Sequence, residues 1–365
     1  MKMVRISVFV SVVLFSFGIS AQNVKHSIYL IGDAGKDTLP GQALLMLEEE
    51  LKLHPNSTTI FLGDNIYPAG LEGKDESEKR TASEKKLLSQ LERTENYPGY
   101  VFWLPGNHDW KAAKWKGNRL VKMEADFVEK YYAENPSIKN DTGHVFLPKN
   151  GLPGPAMQRV VEHGYNLIAI DIQWWLQQQF FHKVPTENGL TKKQMEIRFL
   201  SRLDSLIALS KKEGQTVIIA AHHPMYSNGH HGSPKQPLRF IFNFIPPFPL
   251  FGILGLNRAM VQDIPQPRYK RIRNRILDIL NKYEGLLYVS GHDHNLQYLK
   301  KDNNHYLVSG AGSKRSSLKG DRYGATFMDD LNYGFIRLDF MESGKVRSNV
   351  FGHTKNGEIH SFWLD

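Results

Sequence analysis

Thr58-Thr59-Ile60-Phe61-Leu62-Gly63-Asp64-Asn65-Ile66-Tyr67-Pro68 is the stretch on which the reading of this chain turns. Thr58–Leu62 is a short apolar run with a β-branched start, the pattern of a buried strand. The chain leaves it through Gly63 and an acid. Asp64 therefore sits at the carboxyl end of a strand, where open α/β sheets place their sites. A strand ending in Gly-Asp is also an ordinary turn. What separates the two readings is recurrence, and the pattern recurs on both sides.

Upstream, the apolar strand Ser27–Ile31 runs into Gly32-Asp33-Ala34-Gly35. Downstream, Tyr100–Leu104 runs into Pro105-Gly106-Asn107-His108-Asp109-Trp110, Thr216–Ala221 into His222-His223-Pro224, and Gly285–Ser290 into Gly291-His292-Asp293-His294. Taken singly, each polar residue has an ordinary role: a turn aspartate, a helix-capping Asn107, a core Tyr67, surface histidines. Together they form one set of oxygen and nitrogen ligand types for hard or borderline metals, always just after a strand. Residues two apart in an extended segment share a face, so His292 and His294 are expected to point the same way. They can then reach two ions about 3.5 Å apart, the spacing of two-metal sites.

Helical spacing fills the intervals. Pro40–Leu53 carries Leu44, Leu45, Leu47 and Leu51 on one side, and the highly charged Lys74–Thr94 carries Leu87, Leu88 and Leu91. Leu120–Ala133 and Leu190–Ser210 read as helices. Pro267–Tyr283 is a basic helix with Ile272, Ile276, Ile279 and Leu280 on one face, and Pro267 suits its first position. Further strands are expected at His144–Leu147, Met157–Val161, Asn166–Ile172, Leu296–Lys300, His305–Val308, Tyr333–Phe340 and Val346–Phe351. Asn166–Ile172 is apolar enough to be central. This alternation, closing on an antiparallel set, argues α/β layers with mixed sheets.

With 23% charged and 41% hydrophobic residues the chain has an ordinary globular composition, and its net charge of +9 is consistent with anionic substrates. No nucleic-acid motif accompanies the dense basic run Arg268–Arg275, which reads as a solvated helix face. Lys2 and Arg5 precede the apolar run Val8–Ile19, which ends in Ser20-Ala21-Gln22. This is the form of a signal peptide cleaved after Ala21, with an uncleaved anchor as the alternative, and residues 22–365 read as one domain. Cysteine is absent. An exported chain without disulfides suits a bacterial periplasm or outer surface. Phe240–Leu256 is rich in Phe, Ile and Leu but interrupted by Pro246, Pro247 and Pro249, which forbid a regular spanning helix. It reads as an apolar insertion, within about 233–268, that packs on the protein, covers the site or touches a membrane or partner.

The motifs Gly-Asp-Ala-Gly, Gly-Asp-Asn-Ile-Tyr, Gly-Asn-His-Asp, Ala-His-His-Pro and Gly-His-Asp-His, in this order, resemble those of the calcineurin-like metallophosphoesterases. Within them the chain is similar to the purple acid phosphatases, particularly the small tartrate-resistant type. Asp33 is followed by Ala34-Gly35 rather than a histidine two residues on, and Tyr67 stands three after Asp64. The resemblance implies a four-layer α/β/β/α sandwich of two mixed sheets flanked by helices. It implies one ion on Asp33, Asp64, Tyr67 and His294, another on Asp64, Asn107, His222 and His292, and Asp64 bridging them. A phenolate with two carboxylates suits Fe(III); Asn and two imidazoles suit a divalent Fe, Zn or Mn. His222 is preferred to His223 as the first residue after its strand.

The implied reaction is hydrolysis of phosphate monoesters by a metal-activated hydroxide. His108 is the first candidate acid for the leaving group and His231 the second. Asp109 and Asp293 are expected to orient neighbouring imidazoles. The substrate would be a small phosphate ester, a nucleotide or a phosphoprotein. A phosphodiesterase or nucleotidase would use the same metals, and a surface assembly module would use Phe240–Leu256.

Overall fold

The computed structural model describes residues 23–73, 77–111, 116–134, 145–177, 186–232, 264–353 and 357–364. The leader 1–21 and the apolar stretch Phe240–Leu256 lie outside them.

Strands β1 (Val24–Ile31), β2 (Thr58–Phe61) and β3 (Tyr100–Trp103) run parallel, in that spatial order. The chain then enters a second sheet made of β4 (Ala156–Val160), β5 (Tyr165–Ala169), β6 (Thr216–Ala220), β7 (Leu287–Ser290), β8 (Leu296–Lys301), β9 (Asn304–Ser309) and β10 (Ala325–Asp329). It returns through β11 (Gly334–Met341), β12 (Val346–Gly352) and β13 (Glu358–Trp363), which complete the first sheet in the order β13-β12-β11-β1-β2-β3. The second sheet has the order β10-β8-β9-β7-β6-β5-β4, with β5, β6, β7 and β9 parallel. Both sheets are therefore mixed.

Side-chain alternation makes this a layered structure. Ile28, Leu30, Ile60 and Phe102 share one apolar cluster with Ile218, Ala220, Leu287, Val289 and Leu307 of the other sheet. Their neighbours Tyr29, Ile31, Phe61 and Trp103, like Val217, Ile219, Tyr288 and Tyr306, point outward into a core shared with helices. One set fills the space between the sheets; the other seats the helices. A slip of one residue in any strand would exchange the sets, so register is strongly specified. The helices are α1 (Gln42–Leu53), α2 (Glu78–Leu91), α3 (Gly117–Glu134), the single turn α4 (Gln173–Leu176), α5 (Lys192–Lys212) and α6 (Pro267–Leu280). The expected α/β/β/α sandwich is what forms.

Several boundaries differ from expectation, for physical reasons. Thr191 and Gln194 form a reciprocal capping box that starts α5 two residues late. β5 ends at Ala169 and lies one strand from the edge, not centrally; it reads as continuously apolar because both its faces are covered. Where a strand was expected at His144–Leu147, Phe146 makes one isolated bridge with Trp103. The edge strands β10 and β13 escaped the sequence reading, since half-exposed edges carry a mixed polar pattern. The basic run Arg268–Arg275 is only partly a solvated face. Arg271 and Arg275 each reach a carboxylate oxygen of Glu196 on α5 at 2.7 Å, tying α6 to α5.

Candidate metal centre

The parallel strands of both sheets deliver their carboxyl ends to one place. After β1 and β2 the chain turns sharply, with Asp33 at φ 58° and Asp64 at φ 57°; after β7, His292 stands at φ 71°. Left-handed backbone is uncommon for such residues and persists where surroundings enforce it. Here the Asp33 N–H donates to the Gly63 carbonyl at 2.9 Å, and Gly35 N–H to the Asp64 carbonyl at 3.2 Å. Gly35 is obligatory: a Cβ there would fall 2.0 Å from the Asn65 carbonyl group.

The structure gathers the strand-end residues into two clusters. In the first, His222 Nδ1 lies 2.8 Å from the Leu62 carbonyl oxygen, which can only accept, so Nδ1 carries the proton. His222 Nε2 then faces Asn107 Oδ1 at 2.9 Å, His292 Nδ1 at 3.2 Å and Asp64 Oδ1 at 3.4 Å. His292 Nδ1 is itself 2.8 Å from Asn107 Oδ1. Four buried acceptor-type atoms thus converge with few protons to share. That is the chemistry of a cation site, and a divalent ion with nitrogen and oxygen preference fits it.

In the second cluster, Tyr67 Oη donates to Asp33 Oδ1 at 2.7 Å and lies 3.2 Å from His294 Nε2, which is 3.5 Å from Asp33 Oδ1. Asp64 adjoins both clusters, and ligand atoms of Asp33, Asp64 and His222 all lie within 4.8 Å of one another. His292 and His294 do not share an extended face as expected. The left-handed turn at His292 sends the two rings to different clusters.

The electrostatics favour positive charge at the site. Burial pushes both carboxyls up. For Asp64, His222 and His108 outweigh burial and hold it well below the usual range. Asp33 is attracted by His222 but repelled by Asp64, and is pushed up to about 7. Burial opposes a charged His222, yet the Asp64 carboxylate raises it to about 9. Burial and then the Lys314 charge depress His294 to about 3, leaving a neutral imidazole with a lone pair to give. Burial, Asp33 and Asp64 push the Tyr67 phenol well up, and a bound cation is what would reverse that.

His108 and His231 flank the clusters. The His108 N–H donates to Asp64 Oδ1 at 2.8 Å. Its ring Nδ1 lies 2.6 Å from the Pro68 carbonyl, leaving Nε2 as the atom turned towards Asp64 Oδ2, at 3.9 Å. The His231 ring stacks on His292 with centroids 4.0 Å apart. His223 is fully buried behind His292, with neither ring nitrogen hydrogen-bonded.

Asp109 and Asp293 do not orient imidazoles. Asp109 accepts the backbone N–H groups of Gly106, Asn65 and Ile66 at 2.6, 3.2 and 3.0 Å. Asp293 accepts the His231 backbone N–H at 3.0 Å and the Ser227 hydroxyl at 2.5 Å. Each fixes a loop rather than a ring. Lys314 was missed altogether: its ammonium lies 3.9 Å from the centre of the Tyr67 ring. Only its place in Gly310-Ala-Gly-Ser-Lys, just after β9, could have hinted at it.

Comparison with known proteins follows the same lines. The chain is 21% identical over 366 residues to purple acid phosphatase 17 of Arabidopsis thaliana, covering 93% of this chain and 83% of that one. It is 27% identical over 259 residues to tartrate-resistant acid phosphatase type 5 of Mus musculus, covering 70% of this chain and 60% of the mouse protein. Among solved structures it resembles GAP50, the anchor in the inner membrane complex of Plasmodium, with a TM-score of 0.53 at 17% identity over 93% of this chain and 88% of that one; this is a likeness of fold. A family model, calcineurin-like phosphoesterase, matches residues 26–296, from within β1 to the start of β8. That span holds every strand end from which the two clusters are built, and the chain belongs to the calcineurin-like phosphoesterase family of metal-dependent hydrolases.

Proposed function

We propose that the chain is a dinuclear-metal phosphatase that hydrolyses phosphate monoesters, of the purple acid phosphatase type. The observation that carries this reading is the pair of donor clusters meeting at Asp64, with the phenol of Tyr67 in one of them. Asp33, Tyr67, His294 and Asp64 would hold Fe(III). Asn107, His222, His292 and Asp64 would hold a divalent Fe, Zn or Mn. Bound there, two cations supply charge for the phosphoryl oxygens and lower the pKa of water.

The chain's own groups do the rest. Asp64 is kept in one orientation by the His108 N–H, and His222 by the Leu62 carbonyl. With Nδ1 committed to the Pro68 carbonyl, His108 can present a proton only from Nε2, on the side of the cluster. That is the geometry of an acid for the leaving oxygen. His231, anchored at its N–H by Asp293 and at its ring by His292, lines the same face and is the second candidate. Export through the leader 1–21 belongs to the same proposal.

Purified protein is expected to carry two metal ions per chain and to hydrolyse 4-nitrophenyl phosphate. Asp64→Ala should lose metal content and rate together, the rate by more than about 100-fold. An unchanged rate in that variant would sink the assignment.

A further inference from the structure

Lys314 is held beside the donor clusters. Ser313, just before it, donates its N–H to the Asp33 carbonyl at 3.0 Å and its hydroxyl to the same oxygen at 2.5 Å. Ser316, two residues after it, donates its N–H to the His294 carbonyl at 2.8 Å. Lys314 is thus bracketed by anchors to two residues of one cluster, and its ammonium sits over the ring of a third, Tyr67, at 3.9 Å. His108 packs on that ring as well, with centroids 4.4 Å apart. Among the described residues no carboxylate pairs with Lys314, although nearby cations are used: Lys86 donates to the Tyr67 carbonyl and Lys111 pairs with Glu72. A half-buried lysine is thus fixed beside the clusters, and among the described residues it is an aromatic face that its ammonium meets.

We infer that Lys314 binds the phosphate group of the substrate and makes the site select dianionic phosphate monoesters over monoanionic diesters. The inference rests on the phosphatase reading. Above the second phosphate pKa of about 6, a monoester bears close to two charges and a diester only one. A fixed cation attracts the former more strongly, and the effect weakens with salt because Lys314 is partly exposed. Inorganic phosphate, dianionic once its second proton is lost, should use the same ammonium.

The test compares Lys314→Met and Lys314→Arg with the unchanged metal-loaded protein. The readouts are kcat/KM for 4-nitrophenyl phosphate and for bis(4-nitrophenyl) phosphate, each at low and high salt, and orthophosphate affinity by calorimetry. Lys314→Met is expected to lower monoester kcat/KM about fivefold more than diester kcat/KM. It should weaken orthophosphate by a similar factor and flatten the salt dependence of the monoester; Lys314→Arg should restore all three. Equal losses on both esters, or unchanged phosphate affinity, would overturn the inference. Should Lys314→Met unfold, Lys314→Gln against Lys314→Arg makes the same comparison. If the unchanged protein hydrolyses neither ester, the phosphatase reading fails, and phosphate affinity in the variants still decides the role of Lys314.

Discussion

The Tyr67 hydroxyl donates to Oδ1 of Asp33 across 2.7 Å, joining the ends of two adjacent parallel strands. The Tyr67 hydroxyl oxygen also lies 3.2 Å from His294 Nε2. If this oxygen becomes a phenolate on Fe(III), the protein is coloured. Tyr67→Phe keeps the ring under Lys314 and His108 but removes the oxygen. It should abolish the visible band while thermal unfolding still shows a folded protein. A colourless, active wild-type enzyme loaded with Mn or Zn would refute the iron assignment and leave the family untouched.

His108 can be tested through the leaving group. If Nε2 supplies the proton, His108→Ala should slow an alkyl phosphate by about 100-fold or more. An aryl phosphate, whose leaving group needs little help, should lose much less. Equal losses on both would show that His108 only shapes the site.

Gly35→Ala tests the close approach behind Asp64. Its Cβ would meet backbone atoms of Asn65 at 2.0 Å, and backbone cannot swing aside as a side chain does. A loss of more than about 3 kcal/mol is expected, from overpacking against a fixed turn. Denaturant midpoints measure it. A neutral result would mean that the Asp33 and Asp64 loops are not locked together.

Glu196 tests the tie between α5 and α6. Removing both arginines leaves a buried carboxylate unpaired, so Arg271→Ala with Arg275→Ala should destabilise by about 1–3 kcal/mol, reduced from the fully buried case because both arginines are exposed. Adding Glu196→Leu to the pair should recover most of the loss. A double-mutant cycle by chemical unfolding reads the coupling.

Asp171 sets a pH dependence away from the metal clusters. Burial raises its carboxyl from 3.8 to about 7, only partly offset by the Trp110 indole N–H, which donates to it at 2.7 Å. The folded state then holds a proton that the unfolded state has released. Its contribution is full below 3.8 and declines as pH rises towards about 7. The slope is at most about 1.4 kcal/mol per pH unit. Asp171→Asn, which mimics the protonated form, should flatten that slope; an unchanged slope would show that Asp171 is ionised throughout.

Most of the site was legible because its residues obey one local rule. Each follows a short apolar strand, and an open α/β sheet places such ends on a single edge. Local rules fail where a residue's partner is distant in sequence. Asp109 and Asp293 neighbour histidines in the chain, yet their oxygens meet the backbone of Asn65 and of His231. Lys314 carries no signature beyond following Gly310-Ala-Gly-Ser after a strand, and the ring it faces is Tyr67, 247 positions away. Arg271 and Arg275 look like solvent charges until α5 brings Glu196 beneath them.

What the sequence determined by itself was the set of donors and the alternation that builds the layers, since both are properties of neighbouring residues. Which donors share a cluster was carried in the sequence only through the family resemblance; physically, tertiary structure decides it. The His292 N–H reaches Asp33 Oδ2 at 2.8 Å across 259 positions, and Tyr67 reaches His294 across 227. Those meetings depend on two sheets packing face to face and on left-handed turns at Asp33, Asp64 and His292. The Asp33 and Asp64 turns are tied to each other within the first sheet, and the His292 turn is tied to Asp33 across the two sheets.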